Sequence, residues 1–253
     1  MLVGELTAVT EQGEPARLRC VYKPARGERP LWDFPGAVLA RHEVAAYRVA
    51  RTIDDGLVPV TAWREDLQAG PGAVQVWVDD EPTDDVAVFP VAEFAAIAAA
   101  AFDETPGGGS WLPVLRGEDE HSREVVVAHR DTQRLTSLAL LDVVINNADR
   151  KASHLLGNGA GVRGIDHGVA FHPEWKLRTV LWGFAGRKLS GDQLDVLARV
   201  REAAESFAIS DDGMELLPPE ALDALVGRID DLAAAGVLPG PRPGWPVVPW
   251  PLW

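Results

Sequence analysis

The chain of 253 residues is predicted to be an α+β protein with a small strand-rich front and a mainly helical back. Three observations predict this. Residues 1–85 hold four strand-like apolar runs around a single run with helical spacing, whereas most later apolar runs repeat every three or four residues. Hydrophobic residues make up 47% of the chain, enough for one good core, either as one domain or as two tightly joined lobes. Prolines crowd into a final segment that can hold neither helix nor strand.

In chain order, residues 2–9 and 16–23 read as two strands with EQGEP as the turn between them. In ARLRCVYK, Leu18, Cys20 and Tyr22 fall on one face and Arg19 and Val21 on the other, and Lys23 closes the strand. Leu39 to Ile53 is helical by spacing: Leu39, Val44, Tyr47 and Ala50 form an apolar stripe, with Arg41, Glu43, Arg48 and Arg51 adding charge. GLVPVTAWR and GAVQVWVDD follow as strands split by a Gly-Pro-Gly turn. Val88 to Asp103 then reads as an alanine-rich helix, PGGGS as a break, Glu124 to Ala128 as a short strand and Asp131 to Asn146 as a strongly apolar helix. Two late helices are expected at roughly 190–207 and 218–235. The tail PGPRPGWPVVPWPLW is expected to be extended, with Trp245, Trp250 and Trp253 pinning it to the protein's own surface. The expected divisions are 1–85, 86–238 and 239–253, with the connecting strand near 74–79.

A net charge of -14, with no clustered Lys and Arg block, argues against a nucleic-acid partner and against electrostatic docking on an anionic membrane. The lone Cys20 excludes an intramolecular disulfide and suits a reducing cytoplasm; its place in an apolar strand favours a small buried hydrophobe over a reactive thiol. MLVGELTAVT lacks the basic start and long apolar core of a signal peptide, and no run approaches the roughly 20 apolar residues that span a bilayer. A soluble cytoplasmic protein is expected.

The chemistry is concentrated in NNADRKASHLLGNGAGVRGIDHGVAFH. Asp149 follows the end of the apolar helix, a glycine-rich hairpin intervenes, and Asp166 follows Ile165. Phosphoryl transfer needs two such carboxylates, one to orient or deprotonate the acceptor and one to hold the cation that bridges the phosphates. It also needs a lysine on the phosphates and a glutamate to hold that lysine. GNGAGVRG lacks both the GxGxxG spacing and a following helix, so a hairpin is expected there rather than a nucleotide loop.

On these residues the chain resembles the phosphatidylinositol 3- and 4-kinase superfamily, within the two-lobed protein-kinase-like fold. VYKPARGERPLWDFP, LARHEVAAYRVA, INNADRKASHLL and GIDHGVAFHPEWKLRTVLWG resemble, more narrowly, an actinobacterial phosphatidylinositol-kinase-like family, over about residues 16–190. The resemblance implies an ATP-dependent kinase using Mg2+ or Mn2+. It implies Lys23 as the phosphate-binding lysine and Glu43 as its helix partner. Gln75, Val76 and Trp77 would meet the adenine edge, Asp149 would be the catalytic aspartate and Asp166 the metal-binding one.

Two departures qualify the resemblance. His154 stands where kinases carry a metal-binding asparagine. It could bind a different ion such as manganese, or leave Asp166 as sole ligand and catalysis impaired; a structural histidine is an equal alternative. Asn146, Asn147 and Asn158 lie nearby but out of register. The first hairpin has no glycine-rich phosphate loop, only Gly4 and Gly13, and the chain is expected to start inside its first strand. The rigid segment ARGERPLWDFPG could then cover the phosphates, with Arg26 and Arg29 adding charge. Lys151 is either a contact to phosphate or acceptor, or a solvated side chain. Lys176, Arg178, Arg187 and Lys188 lie where kinases recognise acceptors, or simply pair with acids. His167 is expected to pack, and His42, His121, His129 and His172 to lie at the surface or in local hydrogen bonds.

Four function classes remain open. The first is a kinase for a hydroxyl acceptor, for which protein Ser/Thr or the chain itself is preferred over an inositol lipid. The others are a nucleotide-binding pseudokinase, a protein nucleotidyltransferase and an interaction module.

Overall fold

Two antiparallel strands, β1 (Leu2–Val9) and β2 (Pro15–Pro24), open the chain, and Cys20 and Tyr22 turn inward from β2 as their alternation requires. The computed structural model describes residues 1–9, 13–29, 31–34, 36, 38–100, 110–211 and 213–253. The turn expected at EQGEP therefore begins at residues outside the described ones.

Helix α1 (Leu39–Ile53) follows, then β3 (Thr61–Arg64) and β4 (Gly72–Val76). The four strands form one antiparallel sheet in the order β1-β2-β4-β3. Gly72 lies where β4 crosses β2 most closely: a Cβ there would come within 2.4 Å of the Lys23 carbonyl oxygen. The strand carrying Lys23 is thus held in place by a residue without a side chain.

Val86–Pro90 forms strand β5, and helix α2 runs from Val91 to Ala100. This corrects the expected helical start at Val88. Residues 86–90 pair in register with a later strand, and that pairing overrides the helical run of alanines beyond. The expected end of the helix at 101–103 and most of PGGGS lie outside the described residues. Strand β6 (Trp111–Glu118), not foreseen, pairs with β7 (Glu124–Arg130) in a second antiparallel sheet, β5-β7-β6. Pro113 interrupts its pattern, and the register shifts between Pro113 and Leu115.

Helix α3 (Gln133–Ile145) is buried nearly all round, as its apolar run demands. Thr132 caps its start by accepting from the Leu135 N–H, and Asn146 ends it in a left-handed conformation at φ 54°. A 3-10 turn, Ala152–His154, leads into the hairpin β8 (Leu155–Leu156) and β9 (Arg163–Gly164). Helices α4 (Gly191–Glu202), α5 (Ala204–Phe207) and α6 (Pro219–Ala235) complete the regular structure. Ser190 and Gln193 form a capping box at the start of α4. The main core joins α1, α3, α4 and α6, and a smaller cluster of Cys20, Tyr22 and Val74 lies on the first sheet. The architecture is mixed α+β. Among the described residues no helix is long and apolar enough to cross a membrane.

The tail is irregular, as its prolines require, and it docks on the chain. Trp245 donates to the Lys176 carbonyl (3.3 Å), the Val247 carbonyl accepts from the Trp182 indole (2.5 Å), and the Leu252 carbonyl accepts from the Ala152 N–H (2.8 Å). Of the three tail tryptophans only Trp245 pins; Trp250 is 88% exposed and Trp253 47%.

Candidate functional site

The site begins with a lysine one residue before the end of a strand. Lys23 points away from the Cys20–Tyr22 face and meets two carboxylates. Its Nζ lies 2.6 Å from Glu43 Oε1 of α1 and donates a short hydrogen bond to Asp166 Oδ1. Burial alone would lower the lysine pKa, but the Glu43 and Asp166 charges outweigh it and hold the pKa above the usual range. Burial would likewise raise Asp166, and the opposing Lys23 charge keeps that carboxylate below the usual range.

Glu43 is buried because it is doubly used. Besides Lys23, its carboxylate accepts from the backbone N–H groups of His167 and Gly168, each at 3.1 Å. A Cβ on Gly168 would lie 3.1 Å from Leu39 Cβ and 3.4 Å from Glu43 Oε1, so a glycine lets the segment after Asp166 lie flat on α1. His42 adds a third tie, its Nδ1 2.9 Å from the Gly168 carbonyl oxygen. Asp166 itself turns in the left-handed region at φ 55°, a conformation that this surrounding network fixes.

Asp149 enters from the segment after α3. Its N–H donates to Asn147 Oδ1 (3.0 Å), and its carboxylate lies 3.2 Å from Lys151 Nζ. His154 turns Nε2 toward Asp166 Oδ2 at 3.7 Å, and burial holds its pKa below the usual value. Lys23, Glu43, Asp149, His154 and Asp166 line one cavity of about 400 Å³, together with Arg26, Gly27 and Glu28 of the segment after β2. Six ranges of sequence, some more than a hundred residues apart, therefore supply one polar cleft.

Sequence reasoning missed what holds this cleft together. Arg150 is fully buried and binds Asp142 at 2.9 Å, the carbonyls of His154 (3.3 Å) and Ile165 (3.1 Å), and His167 Nε2 at 2.6 Å. One guanidinium thus fixes the Asp149 loop to the Asp166 loop. The available signal was Asp142, a lone acid inside an apolar helix, which requires a buried cation. Arg150→Met is expected to cost about 3–5 kcal/mol in urea unfolding, because Asp142 is left charged and unpaired, and adding Asp142→Leu is expected to recover part of that loss.

Several expectations need correction. Gln75, Val76 and Trp77 do not line the cleft. β4 is an interior strand: the Val76 N–H is taken by the Val60 carbonyl and the Trp77 N–H by the Arg19 carbonyl, both at 2.9 Å, and the Gln75 side chain binds Thr61. Those backbone donors cannot also meet an adenine edge. Arg29 is exposed outside the cleft, because the chain reverses at Gly27 (φ 91°) and Glu28 takes the inward place. The Glu28 carboxylate accepts from the N–H groups of Leu39 and Ala40, each at 2.8 Å, and so caps α1. Arg26 does line the cleft.

The basic stretch is largely committed. Lys176 lies over the Trp245 ring and 3.4 Å from Glu174, Arg178 donates to the Ala148 carbonyl, and Arg187 binds Asp131. Of the histidines expected at the surface or in local hydrogen bonds, His121 is exposed, His129 and His172 meet carbonyls one and two residues away, and the buried His42 meets the Gly168 carbonyl; His167 packs internally. Asn146, Asn147 and Asn158 brace the loops: Asn146 binds the His172, Glu174 and Lys176 backbone, Asn147 binds Asp142, and Asn158 binds Asp84. None is turned to metal.

No family model matches the chain. A curated relative does: Protein Rv2133c of Mycobacterium tuberculosis (strain ATCC 25618 / H37Rv) is 42% identical over 241 residues, covering 92% of this chain and 82% of that protein. At that identity and coverage, the chain belongs to one family with the mycobacterial Protein Rv2133c.

Proposed function

We propose that the protein is an ATP-dependent phosphotransferase with a two-lobed, protein-kinase-like plan, moving the γ-phosphate to an acceptor hydroxyl. In this reading residues 1–85 form the front lobe, 86–238 the helical lobe and 239–253 a docked tail. The observation that carries it is the meeting of Lys23, Glu43 and Asp166 in a cleft shared with Asp149. A protonated lysine gripped by a helix glutamate and beside a second loop's aspartate is suited to a polyphosphate.

The roles follow from position. Lys23 supplies fixed positive charge for phosphate oxygens, and Glu43, itself held by two backbone N–H groups, keeps it aimed. Asp149, which lies 3.2 Å from Lys151 Nζ, orients the acceptor hydroxyl and takes its proton. Arg26 adds charge at the cleft wall. The donor set fits a nucleotide-borne divalent cation: Asp166 Oδ2 and His154 Nε2 would hold Mg2+ or Mn2+, which when bound neutralises charge on the transferring phosphoryl group. Among the described residues no group of three or more His, Cys, Asp or Glu side chains could hold a metal ion by itself.

A protein Ser/Thr acceptor, or the chain itself, stands ahead of an inositol lipid because the net charge of -14 opposes an anionic bilayer. Incubation with γ-labelled and, separately, α-labelled ATP tests the proposal. Transfer of the γ label alone is expected. Transfer of the α label would mean nucleotidylation, and nucleotide binding without transfer would mean a pseudokinase.

A further inference from the structure

We infer that His154 makes the cation position of this cleft selective for manganese over magnesium, by placing a nitrogen ligand beside the Asp166 carboxylate. The inference rests on the nucleotide-dependent reading above and names the cation of that same site.

The His154 backbone is locked from both sides. Its N–H donates to the Lys151 carbonyl (3.2 Å), and its own carbonyl accepts from the Ile165 N–H (2.9 Å) and from Arg150 (3.3 Å). The Cα of His154 is therefore held between the Asp149 loop and the Asp166 loop. Nδ1 is buried and engages nothing among the described residues, so Nε2 is the working atom, and it faces the cleft.

The 3.7 Å between His154 Nε2 and Asp166 Oδ2 is too long for a hydrogen bond. Adjacent ligands of an octahedral ion, each bonded at about 2.1 Å, stand about 3.0 Å apart, so the two side chains need to close by only about 0.7 Å to share one cation. Asp166 Oδ1 is occupied by Lys23, which leaves Oδ2 as the oxygen on the histidine side. Magnesium demands an octahedral oxygen shell and sheds water reluctantly, so an imidazole is a poor ligand for it. Manganese accepts imidazole nitrogen while still favouring carboxylate and phosphate oxygens, which would supply the rest of the shell.

The test uses the full chain with the non-hydrolysable ATP analogue AMP-PNP and either Mn2+ or Mg2+. Calorimetry is expected to show at least about tenfold tighter analogue binding with Mn2+. Pulsed electron paramagnetic resonance of the Mn2+ complex should show a nitrogen coupling that changes when the protein's histidines carry the heavy nitrogen isotope. His154→Asn should abolish that coupling and bring the two ions close to parity. A wild-type spectrum without histidine nitrogen coupling, or an ion preference unchanged in His154→Asn, overturns the inference. The wild-type spectrum decides the matter even if the variant does not fold. Equal analogue binding with both ions and no nitrogen coupling removes the manganese inference alone, whereas no analogue binding with either ion removes the nucleotide reading as well.

Discussion

Lowering the pH from about 7.5 to about 4.5 is expected to destabilise the folded protein by about 5 kcal/mol through two histidines alone. Burial pushes His42 down to about 4 and His129 also to about 4. His154 and His167 are lowered as well, again chiefly by burial. A histidine whose folded pKa lies below its unfolded value binds its proton more readily in the unfolded chain. Its contribution to stability is therefore complete above about pH 6.5 and is lost as the pH falls toward 4. Asp166, whose folded pKa is depressed by Lys23, adds its own loss only at lower pH. Thermal unfolding as a function of pH checks this. A fall of roughly 10–20 °C in midpoint across that window is expected for a chain of this size. Replacing His129 by Leu should flatten the profile, and a profile already flat in the wild type would mean that these rings are not held neutral.

Asp149→Asn is expected to lower γ-phosphate transfer by about 10²- to 10⁴-fold with ATP affinity nearly unchanged. The carboxamide keeps the size and shape of the side chain but cannot accept the acceptor's proton. Asp149 is also not among the partners of Lys23, which are Glu43 and Asp166. Single-turnover kinetics with γ-labelled ATP separate the two effects: a fall in the chemical step supports the assignment, and unchanged transfer removes Asp149 from the chemistry.

Much of the fold and the site was legible because it rests on local signals. The boundaries of α1 agree with the apolar spacing of Leu39–Ile53, and the side-chain alternation in β2 already set Lys23 apart from Cys20 and Tyr22. Lys23, Glu43, Asp149, His154 and Asp166 were each nameable from sequence, and the structure brings them to one cleft. What could not be read is long-range. The strand at Val86–Pro90 depends on pairing with residues 125–129, and alanines beyond it imitate a helix start. The commitment of the Val76 and Trp77 N–H groups depends on β4 lying between β2 and β3, an ordering no local pattern states. The inward turn of Glu28 and the outward place of Arg29 follow from a reversal at Gly27 and a cap on a helix eleven residues away. Arg150 stands in a polar loop of the sequence, and only its contacts with Asp142, His167 and two carbonyls reveal it as the tie between loops.

The claim that Lys23 and the two aspartates serve a single polyphosphate is tested most directly by the stabilisation that ATP confers on wild type and on Lys23→Met, each measured against its own melting temperature without nucleotide. With millimolar ATP and Mn2+, a rise of several degrees is predicted for the wild type, following the logarithmic dependence of stability on ligand concentration, and little or none for Lys23→Met. An equal rise in both proteins, or none in the wild type, would contradict the account.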